Sequence, residues 1–366
     1  MRSWTLIASM LGALLVGVPA TQGAPATIVA VPVLESTDAG FVAFTFFPDG
    51  RIIYAERYTG KIYVFDPNTS QRTLFFTIDK VEDGPERGVL GLAVHPKYPR
   101  KPYLFVYATR TLNDGNTYKQ ILRITDSGGV GTSVKQIWRG SILSNIAHNG
   151  GRLLFGPDRA LYVVVGDAVN PANSQDLTND AGKIHRMNDR GLPAPGDPFT
   201  GSTIWSYGHR NSFGFAFDPL TGNLWEAENG PDCNDEWNLI MPGQNYGWGP
   251  LSDANLCTSP PDPPLNTNQD GPNPVLPVEW FTPTTAPVGT TFCHGCGLTD
   301  SEGTLFVAQF NRADIQRAVL TPDRTGIESF TTVYQHTTFS VISMESAPDG
   351  TIYFNDFGTL YKLVEA

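Results

Sequence analysis

The chain has 366 residues, a formal net charge of -11 and a pI near 5.0. That balance excludes a phosphate-backbone partner, because non-specific affinity for nucleic acid needs clustered Lys and Arg. The length admits one large domain or two smaller ones, and 37 glycines and 29 prolines between short Val/Ile/Tyr/Phe runs favour one all-β domain without long amphipathic helices.

Arg2, the apolar run from Leu6 to Val18 and the small residues after it read as a secretory signal over residues 1–24, cleaved after Ala20 or Ala24. A buried N-terminal helix is the alternative. The run is too short to span a bilayer, so the mature chain, residues 25–366, is expected to be exported, periplasmic or extracellular according to the host. Export permits disulfides. Cys233 and Cys257 flank an acidic segment and can staple the loop beyond it, whereas Cys293 and Cys296 form CHGC. CHGC has neither the haem pattern nor the second cysteine pair of a zinc site. One or two structural disulfides are expected, and a metal role for Cys293, His294 and Cys296 is the alternative.

Along the chain one pattern recurs: an apolar strand, a turn built on Pro-Asp-Gly or a variant, then a strand rich in Tyr, Phe and Val. The copies are FTFFPDGRIIYAE from Phe44, LAVHPKYPRKPYLFVYAT from Leu92, LLFGPDRALYVVVGD from Leu153, FAFDPLTGNLWEAE from Phe215, LTDSEGTLFVAQF from Leu298 and ESAPDGTIYFND from Glu345. Most are followed by a further strand, as in KIYVFDP, QILRIT, KIHRMN and IQRAVL. Six copies of three or four strands, at irregular spacings of roughly fifty to eighty residues, predict a single six-bladed β-propeller. A β-sandwich would not explain six copies of the same turn. The ring must close, and TIVAVPVLE from Thr27 is placed to complete the last blade beside Thr359 to Val364. Leu251 to Pro274, rich in Pro, Asp and Asn, reads as a surface excursion, either a plain loop or a lid.

Polar chemistry concentrates in Ile204 to Pro250. Gly230 and Pro231 offer bare backbone carbonyls, and Asp235 and Glu236 add carboxylates, a set suited to a hard cation such as calcium. His209, Arg210 and Asn211 supply a cation and hydrogen-bonding groups next to it. Upstream, His148 opens the third repeat with two glycines after it, and its titration range suits a general base. Asp167 ends the paired strand, so a hairpin turning at Pro157-Asp158 brings the two residues to one rim. A carboxylate holding one ring nitrogen of a base is a recurring catalytic arrangement; a plain ion pair is the alternative. Arg210 suits polarising a substrate oxygen or gripping an anionic cofactor, or else ties loops together.

Four stretches, ERGVLGLAVHP from Glu86, HNGGRLLFGPDRALYVVVGD from His148, SYGHRNSFGFAFDP from Ser206 and ENGPDCNDEWNLIMPGQNYGWGP from Glu228, resemble the soluble quinoprotein glucose/sorbosone (aldose sugar) dehydrogenase family. The resemblance implies a six-bladed propeller that binds pyrroloquinoline quinone (PQQ) with calcium, oxidises the anomeric hydroxyl of a sugar and passes electrons to an acceptor. It implies that His148 is the base, Asp167 its orienting carboxylate, Arg210 the cation by the reacting carbonyls, and Asn211 and Thr284 cofactor contacts. Gly230 and Pro231 resemble ligands of the cofactor calcium, and Glu236 and Tyr246 resemble ligands of a second, structural calcium. Three positions depart from the pattern. Asn311, followed by Arg312, stands where the family has lysine; Ser340 and Ile342 stand where it has two arginines; Glu86 stands near the substrate where glutamine is common. The cofactor is a tricarboxylate whose charge those missing cations would hold, so Asn311 and Arg312 are taken as cofactor contacts and Arg312 or Arg317 as the cations that would compensate. Two other readings use the same rim without a quinone: a calcium-dependent lactonase or sugar-modifying enzyme with His148 activating water, and a non-catalytic binding propeller.

Overall fold

Runs such as Ile52-Ile53-Tyr54-Ala55-Glu56 pair with the strand before them through Pro-Asp-Gly turns: Phe47 N donates to Arg51 O, Gly50 N donates to Phe47 O, and Gly50 takes the left-handed φ of +86° that the turn requires. The computed structural model describes residues 27–35, 40–252, 257–337 and 340–366. The expected signal segment, residues 1–24, lies outside them.

Among the described residues the strands form six antiparallel sheets of four. Numbered along the chain, β1 (Ile28–Glu35) precedes the first blade, β2 (Phe41–Phe46), β3 (Ile52–Glu56), β4 (Lys61–Asp66) and β5 (Gln71–Thr77). The second blade is β6 (Val89–Val94), β7 (Tyr103–Thr111), β8 (Thr117–Asp126) and β9 (Gly131–Arg139). The third is β10 (Leu153–Phe155), β11 (Leu161–Val165), β12 (Lys183–Met187) and β13 (Ile204–Tyr207). The fourth is β14 (Ser212–Phe217), β15 (Leu224–Glu228), β16 (Asp235–Ile240) and β17 (Glu279–Phe281). The fifth is β18 (Pro287–Phe292), β19 (Leu305–Gln309), β20 (Asp314–Leu320) and β21 (Ile327–Gln335). The sixth is β22 (Ser343–Ser346), β23 (Ile352–Asn355) and β24 (Thr359–Glu365), with β1 as its outermost strand. As the sequence predicts, β1 runs antiparallel to β24, from Ile28 opposite Glu365 to Glu35 opposite Thr359. Among the described residues the helices are two single turns, Ala172–Gln175 and Pro263–Asn266, and none is long and apolar enough to cross a membrane.

Contacts between neighbouring sheets run round the full circle, from β2 to β6 to β10, through β11 to β14, then β18, β22 and back to β2. This is a closed six-bladed β-propeller. Each junction holds its own apolar cluster. Val64 and Leu122 share one, Tyr107 and Val163 the next, then Tyr162 and Phe215, Trp225 and Phe306's neighbour Val307, Phe306 and Phe354, and finally Tyr54 and Leu360. Second strands such as LYVVV and LFVAQ are therefore buried along their whole length rather than alternately, because both faces of a blade are covered. Outer strands β9 and β21 are mostly exposed. One strand assignment needs correction. The fifth repeat begins at β18, not at Leu298: a disulfide between Cys293 and Cys296 closes a small loop, and the turn joining the strands extends from there to Thr304.

The inner strands approach one another backbone to backbone. A Cβ added at Gly91 would strike Gly151 O, one at Gly214 would strike Val288 O, and one at Gly289 would strike Met344 N. Gly91 and Gly214 lie at register shifts of their strands. Gly214→Ala is expected to cost about 1–3 kcal/mol by overpacking, read as a lower denaturant midpoint; an unchanged midpoint would show that blades four and five can part without loss.

Candidate active site and cation site

At one end of the channel lies a cavity of about 460 Å³. Its apolar walls include Leu90, Phe213, Val288, Phe310 and Ile342, and its polar residues include Glu86, His148, Arg210, Asn211, Gly230, Pro231, Asp235, Thr284 and Asn311. Most of the sequence-predicted site residues thus line one space.

His148 is held from three directions. Its backbone is left-handed, with φ +56°, a conformation that persists only where the surroundings enforce it. Its amide donates to Glu86 Oε2 at 2.6 Å, and its carbonyl accepts from Ala168 N at 3.2 Å. The ring's Nδ1 lies 2.6 Å from Asp167 Oδ1. Asp167 is 1% exposed and accepts two further bonds, from Val169 N at 2.8 Å and from Trp248 Nε1 at 2.8 Å. An ionised carboxylate can only accept, so the ring proton sits on Nδ1 and the Nε2 lone pair is left available. Nε2 has no hydrogen bond among the described residues. Trp248 was not among the expected site residues. It lies in the NYGWGP run, and nothing in its spacing shows that its indole reaches Asp167 while its ring packs 5.4 Å from the Arg210 guanidinium.

Glu86 is a bracing group here: its Oε2 holds the His148 amide and also accepts from Asn211 Nδ2 at 3.3 Å. Asn211 Oδ1 is buried at the cavity wall without a hydrogen-bond partner. Arg210 donates Nη1 to Asn229 O at 3.0 Å; burial pulls its guanidinium below the ordinary range, against the opposing pull of Asp167, Glu228, Glu86 and Asp235. Asp235 accepts from the amides of Gly230, Thr285 and Ala286 and so ties the two cavity loops together. It is fully occupied as a brace. The carbonyls of Gly230 and Pro231 accept no hydrogen bond among the described residues, which fits them for a hard cation.

Two predicted cations lie elsewhere. Arg312 is half exposed and pairs with Asp314 at 3.2 Å, because it follows the last wall residue, Asn311, into the β19–β20 turn. Arg317 binds the Thr299 and Asp300 carbonyls and Ser301 Oγ at an outer turn.

Behind the cavity, a void of about 10 Å³ is lined by Glu228, Glu236, Tyr246, Trp248 and Thr267. Glu236 Oε1 is buried there without a hydrogen-bond partner, and burial with the neighbouring Glu228 pushes its carboxyl up to about 8. Next to it, His209 Nδ1 lies 2.9 Å from Glu228 Oε2 and 3.3 Å from Glu226 Oε1, while its Nε2 meets Ser206 Oγ at 2.8 Å. Burial alone would lower the imidazole, but the two glutamates outweigh it and raise it to about 10. With no cation bound, these three groups form an ion-paired triad. Tyr246 lines the same void as Glu236. Its hydroxyl donates to Leu239 O and accepts from Met241 N, and its ring stacks on His209 at 4.8 Å, so the atom it can offer a cation is its carbonyl, which accepts one bond, from Asn268 Nδ2, and keeps a second lone pair. The described residues of the segment from Leu251 to Pro274, 251–252 and 257–274, are anchored rather than loose. Cys233 is bonded to Cys257, Asn266, Thr267, Asn268 and Asp270 are buried, and Thr267 lines the void.

The sequence profile described as Glucose / Sorbosone dehydrogenase matches residues 40–362. With its closed propeller and this cavity, the chain belongs to the glucose/sorbosone dehydrogenase family. It is 29% identical to an uncharacterised protein of Synechocystis sp. over 89% of this chain and 83% of that one. It is 34% identical to quinoprotein glucose dehydrogenase B of Acinetobacter calcoaceticus over 55% of this chain and 48% of that enzyme. The PQQ-bound aldose sugar dehydrogenase of Streptomyces coelicolor superposes with a TM-score of 0.77 at 26% identity, covering 93% of this chain and 99% of that one.

A cation in the void would favour the ionised Glu236. Without one, its raised value means stability is fullest below the ordinary glutamate range, near pH 4.5, and declines as pH rises toward 8. Calcium should therefore raise Tm more at pH 8 than at pH 5, and Glu236→Gln should abolish most of that increment; calorimetry with calcium or a chelator checks this, and an equal increment in the variant would rule out the void as the site.

Proposed function

We propose that the protein is an exported dehydrogenase that oxidises the anomeric hydroxyl of aldose sugars with PQQ and calcium and passes electrons to an external acceptor. The observation that carries the reading is the His148–Asp167 pair at 2.6 Å, with Nε2 available at a cavity that also holds Arg210. The two disulfides support an oxidising compartment.

The cavity suits the cofactor. Its walls are apolar and wide enough for a tricyclic ring system, Asn211 Oδ1 is an unpartnered buried acceptor, and the Gly230 and Pro231 carbonyls suit calcium. Arg210, Asn211 and Thr284 would contact the cofactor. When bound, PQQ supplies a two-electron acceptor for the sugar's C1 hydrogen. His148 Nε2 takes the proton of the anomeric hydroxyl, and Asp167 stabilises the imidazolium that results, in a site whose low dielectric strengthens that pairing. Trp248 keeps Asp167 from rotating away, and Glu86 keeps the His148 backbone in its left-handed turn. Arg210 supplies positive charge beside the reacting oxygens.

Protein reconstituted with PQQ and calcium should reduce a redox dye in the presence of aldoses. His148→Ala should lower kcat by about 10²–10⁴, and Trp248→Phe, which removes one charge-assisted bond, by roughly tenfold. Steady-state dye reduction checks both; absence of turnover with every aldose, or undiminished turnover in His148→Ala, would end this reading.

A further inference from the structure

Three arginines border the main cavity. Arg57 has its donors on the carbonyls of Gly84, Pro85 and Arg87, and so braces the loop that carries Glu86. Arg210 is balanced by four surrounding carboxylates, Asp167, Glu228, Glu86 and Asp235. Arg152 differs from both. It leaves the chain just before β10 and reaches across the floor of the channel: Nη2 donates to Ser343 Oγ on β22, and Nε donates to Phe213 O on β14 at 3.4 Å. Nη1 has no hydrogen bond among the described residues, and no carboxylate forms an ion pair with the group. Among the described residues the acid that acts on it is Glu345, which makes no ion pair with it, accepts from Thr45 Oγ1 at 2.5 Å and is raised by burial.

Arg152 also borders a second cavity, of about 260 Å³, lined by Phe215, Phe217, Phe292, Met344 and Glu345. It therefore forms the partition between the two spaces. Above it, the wall formed by Phe310, Asn311 and Ile342 carries no positive charge. A partly buried guanidinium that lines the cavity with an unbonded N–H and no ion-paired carboxylate is suited to take an anion.

We infer that Arg152 is the carboxylate anchor of the cavity, receiving one carboxylate of the bound cofactor through Nη1 while Ser343 and Phe213 O fix its guanidinium. This rests on the cofactor proposed above. It is a binding role, distinct from the proton transfer assigned to His148.

The test is a fluorescence titration of PQQ, with excess calcium, into the wild-type protein, Arg152→Met and Arg152→Lys, each first checked for an intact thermal transition. The same titrations are made with 1,10-phenanthroline-5,6-dione, a planar quinone without carboxylates. Arg152→Met should weaken PQQ binding by about thirtyfold or more, Arg152→Lys should recover much of the loss, and the neutral quinone should bind all three alike. Equal PQQ affinity in Arg152→Met overturns the inference. So does an equal loss for both quinones, which would make Arg152 a structural partition only. Absence of PQQ binding by the wild type would remove the proposed cofactor itself, and the inference with it. Should Arg152→Met not fold, Arg152→Gln replaces it in the same comparison.

Discussion

A ring of six sheets holds only if its first and last members meet, and here β2 of the first blade packs against β22 while the N-terminal strand β1 completes the sixth sheet by pairing with β24. The two strands are separated by nearly the whole chain, so the contact forms against a large loop-closure entropy. All six junctions, that one included, pack the faces of neighbouring blades, and each carries its own apolar cluster. The energy of the fold is thus spread round a circle, while its topology rests on one seam.

Within that circle the site draws on several blades at once. Glu86 comes from the approach to the second blade, His148 from the approach to the third, Asp167 from the end of β11, Arg210 from the β13–β14 connection and Trp248 from beyond β16. No pair of adjacent strands could hold these groups together. The many buried carboxylates are tolerated because each has an assigned partner: Asp167 has three donors, Asp235 has three amides, and Glu228 has an imidazolium and an amide. Glu236 Oε2 accepts from Asn238 while its Oε1, like Glu226 Oε1 nearby, is buried without a hydrogen-bond partner, and Glu236 lines the void.

The fold was legible because its signals are local. Pro-Asp-Gly turns and alternating strands repeat, and TIVAVPVLE has strand character with no turn partner of its own. The His148–Asp167 pair was legible too, since a hairpin of known turn position brings its ends to one rim. Arg152, Arg57 and Trp248 were not. Whether a side chain at an inner strand or a rim loop points toward the axis depends on blade twist and on register shifts such as that between Ser212 and Gly214, which no periodicity records. Arg312 was misplaced for the same reason: one residue along a turn carries a side chain from the wall to the solvent. The Leu251–Pro274 segment was misread because its burial is polar, with Asp270 holding the Leu251 and Ser252 amides, so it has no hydrophobic signature.

The glycines at 91, 214 and 289 have a consequence for how such a protein changes over time. Where main chain meets main chain, the bore of the channel is set by backbone radii, and no choice of side chain at those points can widen or narrow it gradually. Variation is therefore diverted outward, to the loops that enter the cavity from each blade, which can lengthen or alter without disturbing the ring. A propeller built in this way diversifies its ligands at the rim while its axis stays fixed.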